Sequence, residues 1–444
     1  MQVEHAEQLA VALAAHGVQL VALTWVDNAG VTRVKAVPVG ELAHAARWGV
    51  GMSPVFDVFL LDDSMTVSPL TGGPVGDLRL RPDLDRLCVL AAQPGWAWAP
   101  VDRWRQDGEP HSGCQRRFAR EMAAKAAAAG LELRMAFEVE WFAGADAQRP
   151  ACTGPAYGMT RVIELSDYGR DLVEALAAES VPVKQFHPEY AAGQLEVSVA
   201  ATDPVAAADR LVLVKQSIRA ITQRHGLRAS FAPAVLAGSV GNGGHLHLSA
   251  WRDGSNLLTG GDGPAGLTPA GESILAGLLS RLPALCAIGA PSPASYLRLV
   301  PQRWAGAFAC WGIENREAGL RVIPGPVGDR AEAANAELKC FDLSANPYLL
   351  VGAVCAVAAA AVRADLRLPR EVTVDPASLP SSEQPARLPQ SVTEAVAALR
   401  ADDVLPAALG EELFQAFIAV REAEARLFAD ASPDDVAVRT RWVY

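Results

Sequence analysis

No two of the seven cysteines in this chain stand in CxxC spacing; Cys88, Cys114, Cys152, Cys286, Cys310, Cys340 and Cys355 are scattered and odd in number. That distribution excludes a zinc knuckle and a disulfide framework and leads us to expect a reducing cytoplasm. No basic stretch or small-residue cleavage site accompanies the first apolar segment, which is preceded by Glu4 and Glu7, so no signal peptide is predicted. No apolar run reaches the roughly 18 to 20 residues that span a bilayer. The longest, Leu349 to Val362, is Ala-rich and reads as a buried helix. Positive charge is in deficit: 39 Lys and Arg against 50 Asp and Glu leave a net charge of -11. That balance disfavours nucleic acid and anionic membrane as partners and favours small molecules.

What is present is apolar material in quantity. Half of the 444 residues are hydrophobic, and a chain of this length exceeds what one core usually holds, so two domains are expected. Residues 3 to 16 suit a helix; VQLVALTWVD, ending at Asp27, reads as a strand, and Asn28-Ala29-Gly30 turns it into VTRVKAVPV. The polar stretch from Arg103 to Pro110 places a domain boundary near 108, giving domains 1–108 and 109–444. Beyond it an Ala-rich helix from Gln115 is followed by LELRMAFEVEWFA, which alternates as a strand does. GQLEVSVA (193–200), GHLHLSAW (244–251) and AELKCFD (336–342) alternate likewise, with helices between, as in DPVAAADRLVLVKQSIRAITQRHG. The order of elements predicts an α+β domain.

Side chains alternate across a strand, so Glu138 and Glu140 share one face, as do Gln194, Glu196 and Ser198, then His245, His247 and Ser249, and finally Glu337 and Lys339. One such strand alone is an ordinary half-exposed sheet face. Exposed faces, however, seldom omit Lys and Arg as thoroughly as the surroundings of Glu138, Glu140 and Glu196 do. Carboxylates converging on a concave face repel one another unless a cation lies among them. With Glu189 added, the set is hard and oxygen-rich, which favours Mg²⁺ or Mn²⁺ over zinc, in sufficient number for two ions. Arg298, Arg316 and Arg321 follow downstream; divalent cations with arginines are what a polyphosphate requires while its γ-phosphoryl group moves. The glycines of GSVGNGGHLH allow the backbone to approach a ligand, in a pattern that is neither a Walker A loop nor a dinucleotide fingerprint.

Taken in order, FEVEWF, FHPEYAAGQLEVSV, GNGGHLHLS, YLRLVP, ENREAGLR and ELKCFDLSANPYL resemble the signature blocks of type I glutamine synthetases and their relatives, and TWVDNAGVTRVKAVPV is similar to that family's small N-terminal β-grasp domain. The resemblance implies a large catalytic domain with a curved antiparallel sheet flanked by helices. It implies that Glu140, Glu189 and Glu196 hold one metal and Glu138, His245 and Glu337 a second. It assigns His247, Ser249 and Arg321 to the nucleotide, Gly241, Arg298 and Lys339 to the glutamate substrate, and Arg316 to both glutamate and the transferred phosphoryl group. It further implies ATP as co-substrate, a γ-glutamyl phosphate intermediate, and a homo-oligomer of stacked hexameric rings in which Asp27 reaches a neighbouring subunit's site.

This chain departs from the glutamine-forming members at the amine. Six residues after Arg298, where those enzymes place a flap glutamate, stands Trp304. An indole cannot serve as a base, but it can attract a cation or pack against an alkyl group. The reading is therefore an ATP-dependent ligase joining glutamate to a small organic amine. Glutamine synthesis from ammonia, an altered acid substrate and a noncatalytic structural or regulatory role are the alternatives. Lys339 stands for a glutamate-binding arginine, Val240 for an asparagine and Asn335 for an ATP-side arginine, and no tyrosine between Tyr348 and Tyr444 offers an adenylylation site.

Overall fold

The computed structural model describes residues 2–444. Strands β1 (Leu20–Val26), β2 (Thr32–Pro38), β3 (Val50–Met52), β4 (Leu78–Pro82), β5 (Cys88–Val89) and β6 (Trp96–Arg105) form a first sheet in the order β2-β1-β6-β4-β3, with β5 on β6. The β1–β2 hairpin has the expected antiparallel pairing, Val26 opposite Thr32, whereas β1 runs parallel to β6. Burial explains why the two hairpin strands differ in sequence. β1 is enclosed on both faces and reads as a continuous apolar run; β2 lies at the sheet edge and alternates. Gly30 closes the turn at φ +82°, and a Cβ there would lie 1.9 Å from the Ser344 carbonyl oxygen, so the turn requires glycine on both counts.

The second sheet contains β7 (Glu132–Asp146), β8 (Arg149–Pro150), β9 (Val183–Pro188), β10 (Gln194–Val199), β11 (Arg228–Ser230), β12 (Leu246–Arg252), β13 (Ser255–Asn256), β14 (Phe308–Ile313), β15 (Ala318–Ile323) and β16 (Asn335–Leu338). Its order is β14-β15-β16-β12-β7-β10-β9, antiparallel apart from the β14–β15 pair, with the short strands on β7 and β12. β7 is long enough to pair with β12 along its first half and β10 along its second, so one strand carries Glu138 and Glu140 past both neighbours. The strand predicted over 336–342 ends at Leu338, although the Lys339 N–H still reaches the Gly319 carbonyl of β15 at 3.1 Å.

The apolar run predicted as a buried helix is one, Pro347–Ala361, and Gln115–Ala128, Pro204–Arg224 and Pro269–Gly289 pack around it. Pro269–Gly289 is long and apolar enough to cross a membrane by composition alone, yet most of it is buried in the protein. Asn346 caps the central helix by accepting from the N–H groups of Tyr348 and Leu349, while its amide donates to the carbonyls of Val26 and Asp27. The end of β1 is thereby tied to the helical layer behind the second sheet.

A buried ion pair makes a second tie. Arg103 of β6 donates to Asp57 at 2.5 Å and to Gln115 at 2.8 Å, and His111 lies 3.1 Å from the other Asp57 oxygen. Removing one partner leaves a buried charge uncompensated, so Asp57→Ala is expected to lower stability by about 3–5 kcal/mol. Chemical denaturation of the two proteins measures this, and a loss within about 1 kcal/mol would contradict it.

Candidate active site

Strand register brings the sequence-predicted groups together in rows. Glu140 lies opposite Glu196, and His187 opposite Glu196 on the far side; one sheet half away, His247 and Arg321 flank Glu337. Directly opposed carboxylates such as Glu140 and Glu196 destabilise a strand pair unless something positive intervenes. His245 bridges the rows: its Nδ1 is 3.0 Å from both Glu138 and Glu337, and its Nε2 is 3.7 Å from Glu140. Glu138 also meets His247 Nε2 at 3.1 Å.

Above these rows opens a cleft of about 700 Å³. Its lining includes Glu138, Glu140, Glu189, Glu196, His245, Gly241, Arg298, Trp304, Arg316, Arg321 and Lys339. Glu337 lies buried beneath it, His247 pairs with Asn335 at 2.9 Å, and Ser249 accepts a hydrogen bond from Trp251. Asp27 does not line the cleft within this chain. It is buried against Arg33 at 2.7 Å and the Val31 N–H at 2.9 Å, and burial pushes its carboxyl up to about 6.

The sheet face is charge-balanced unevenly. Glu337 is paired with Lys339 at 2.9 Å and Arg321 at 3.0 Å, so this carboxylate is less isolated than the sequence implies, and Lys339 is engaged rather than free. At the other end, among the described residues, only imidazoles pair with Glu138, Glu140 and Glu196. Burial, reinforced by Glu138 and Glu140, raises the Glu196 carboxyl to about 7. Burial also raises Glu189, helped by Glu140. The hydrogen bond to Glu196 lifts His187 to about 9; His247, despite burial, reaches about 9 through Glu138. Protons on these groups supply the positive charge that the oxygens demand, a role for which a divalent cation is better suited.

Within each of two sets, Glu138, His247 and Glu337, and His187, Glu189 and Glu196, the potential ligand atoms lie within 4.8 Å of one another. These differ from the expected trios by His247 for His245 and His187 for Glu140. Glu140 is held back by hydrogen bonds from Gln194 Nε2 at 2.8 Å and the Gly243 N–H at 2.9 Å, and His245 by Arg298 at 2.8 Å. The donor set, oxygens with one or two imidazoles, fits a hard divalent ion.

The glycine-rich loop explains itself by clearance. A Cβ on Gly243 would fall 2.4 Å from His245 Nε2 and 2.7 Å from Glu140. Arg298 is buried, and its Nη1 has no partner, leaving a donor for an anionic ligand. Arg316 pairs with no carboxylate among the described residues, and its guanidinium lies 6.0 Å from the Trp304 ring centroid. Trp304 is 57% exposed at the cleft mouth.

Sequence reasoning passed over His187, Tyr157 and Glu317. His187 shares parity with Glu189 and was legible in FHPEY; Tyr157, which donates to Glu189 at 2.8 Å, lies in a loop with no periodic signal. Glu317 adjoins Arg316 and is buried behind the cleft.

The sequence profile of the glutamine synthetase catalytic domain matches residues 112–439. The gamma-glutamylpolyamine synthetase of Streptomyces coelicolor is 56% identical over 453 residues, covering 100% of this chain and 97% of that protein. Among solved structures, a novel glutamine synthase homolog superposes with a TM-score of 0.86 at 33% identity, covering 96% of this chain and 99% of the other. The GmaS/ADP complex does so with 0.85 at 27% identity, covering 96% and 97%.

Proposed function

The chain belongs to the glutamine synthetase family and is an ATP-dependent ligase forming γ-glutamyl amides, and we propose that the amine it takes is a polyamine, an aliphatic chain bearing more than one ammonium group. The observation that carries the choice of amine is Trp304, an exposed indole at the mouth of a cleft where a carboxylate would serve ammonium. The polyamine-acting relative from Streptomyces supports it. So does the net charge of -11, which draws polycations toward the molecule.

Enzymes of this family use ATP and divalent metals. We assign Mg²⁺ or Mn²⁺, two or more per site, to Glu138, Glu140, Glu189, Glu196, His245 and Glu337, with His187 and His247 adjacent; bound there, the ions would neutralise phosphate charge during phosphoryl transfer. The protein's own contribution is positioning. Arg298 offers its unpartnered Nη1 to the glutamate carboxylate, Gly241 leaves room for the Arg298 stem and the Pro233 carbonyl, and Lys339 neutralises Glu337 beneath. Arg316 and Arg321 face the phosphates, where spreading negative charge strengthens their hold as the γ-phosphoryl group moves to glutamate. One ammonium end of the amine gives up a proton, which the departing phosphate can take, and its nitrogen displaces phosphate from the γ-glutamyl phosphate, with the apolar part of the amine against Trp304. Stacked hexameric rings and a cytoplasmic setting for the seven free thiols complete the proposal, with Asp27, enclosed against Arg33 within its own chain, left out of the amine site.

Phosphate release with Mg²⁺, ATP and glutamate against putrescine, spermidine, a monoamine and ammonium tests this. The polyamine rate is expected to exceed the ammonium rate by about tenfold or more in kcat/KM. An ammonium rate equal to the best amine would restore glutamine synthesis as the activity. Silence with every amine, together with no ATP binding, would make the protein noncatalytic.

A further inference from the structure

Glu317 lines no part of the cleft, yet its buried carboxylate lies at the foot of the loop that presents Trp304. One oxygen accepts the Trp304 backbone N–H at 2.7 Å and the other that of Gln302 at 3.2 Å. Both loop residues are left-handed, Gln302 at φ 60° and Trp304 at φ 52°. Residues with a Cβ keep that conformation only where their surroundings impose it. Two hydrogen bonds to one carboxylate are a sufficient constraint, and the 2.7 Å bond from Trp304 has the short length of a charge-assisted one.

The anchor is itself fixed. Glu317 donates its N–H to the Asn315 side chain at 3.1 Å, and Asn315 donates to the carbonyls of Val372 at 2.8 Å and Val374 at 3.0 Å. The next residue back, Arg316, places its guanidinium 6.0 Å from the Trp304 ring. A single turn therefore holds Trp304 twice, by its backbone through Glu317 and by one ring face through Arg316.

We propose that Glu317 is a positioning residue for amine selection, which fixes the Gln302–Trp304 segment so that the indole stands across the cleft mouth. The inference rests on the reading of the cleft as that of an organic-amine ligase. Glu317 does not itself line the cleft, so its removal is expected to act through the Gln302–Trp304 loop, and on the amine more than on glutamate or ATP.

Steady-state kinetics of Glu317→Ala and Glu317→Gln with putrescine, spermidine and ammonium test it. In Glu317→Ala the polyamine KM is expected to rise by about tenfold, with the KM values of glutamate and ATP changed by less than about twofold, and the preference for polyamine over ammonium falls by about fivefold. Glu317→Gln, which keeps one acceptor oxygen, falls between wild type and the alanine variant. Trypsin is expected to cut after the exposed Arg303 sooner in Glu317→Ala than in wild type, with mass spectrometry locating the cut. Unchanged amine constants, or an equal loss with every amine, would overturn the proposal, and if the alanine variant does not fold, the glutamine variant decides by the same readouts. Wild-type protein that turns over no organic amine would instead refute the reading of the site.

Discussion

Glu140→Ala is expected to lower metal-dependent turnover by about a thousandfold or more while the fold survives, because a site that loses one oxygen of its central pair loses several kcal/mol of charge stabilisation in phosphoryl transfer. Glu140 is buried opposite Glu196 at the centre of the array, on the long strand that touches both halves of the sheet. Its removal relieves a like-charge opposition, and its two hydrogen-bond donors are not equally stranded. Gln194 retains the Gly241 carbonyl at 3.0 Å, and only the buried Gly243 N–H loses its partner. Metal-free stability should therefore fall by no more than about 1–3 kcal/mol. Added Mg²⁺ should raise the melting temperature of wild type and do so less, or not at all, in the variant, as binding to the native state alone requires. Undiminished turnover in Glu140→Ala would remove this residue from the ligand set.

How far this site could be read from sequence depended on where each residue lies. Strand parity predicts that Glu138 and Glu140 share a face of one strand, and Gln194, Glu196 and Ser198 a face of another, since alternation is a local property; the register then sets Glu140 opposite Glu196. The same arithmetic places His247 beside Glu337 only once the β12–β16 pairing is known. The helix Pro269–Gly289 escaped notice because Glu272 and Arg281 interrupt its apolar run; in the fold Glu272 is buried and bonded to Arg367, and Arg281 reaches Asp403 at the surface. Near neighbours were ambiguous for a different reason. Parity puts Glu337 and Lys339 on one face, two positions apart, but does not distinguish a lysine paired there from one awaiting substrate, or Ser249 bonded to Trp251 from a serine facing a nucleotide. Tyr157 and Glu317 act through loops, where spacing carries no directional information, and each is found only from what it touches. Asp27 marks the limit of a single chain: its position is set by Arg33 and by the Asn346 cap, not by the cleft.

Trp304→Glu is expected to shift the ratio of kcat/KM for ammonium over polyamine by about tenfold or more. A cation over an indole face gains about 0.5–2 kcal/mol, depending on how far both are desolvated, and 1.4 kcal/mol is a factor of ten. One face of Trp304 already looks toward Arg316 at 6.0 Å, so the amine has the opposite face and the ring edge available. Replacing the indole with a carboxylate takes away the apolar wall that rewards a methylene chain and supplies an ionic partner that a small ammonium ion can approach closely. The backbone cost is nearly neutral, since φ 52° at position 304 is borne by any residue with a Cβ, and the N–H bond to Glu317 is independent of the side chain. A competing effect must be allowed for: the new carboxylate can reach toward Arg316 and withdraw it from the phosphoryl group, which would lower kcat with every amine alike. Ratios separate the two outcomes, because a shared loss in kcat leaves the preference unchanged, whereas a reshaped amine site changes the preference itself. Measuring both substrates at several concentrations in the variant and in Trp304→Phe, which keeps an aromatic face, completes the comparison. Retained polyamine preference in Trp304→Glu would place the amine elsewhere in the cleft.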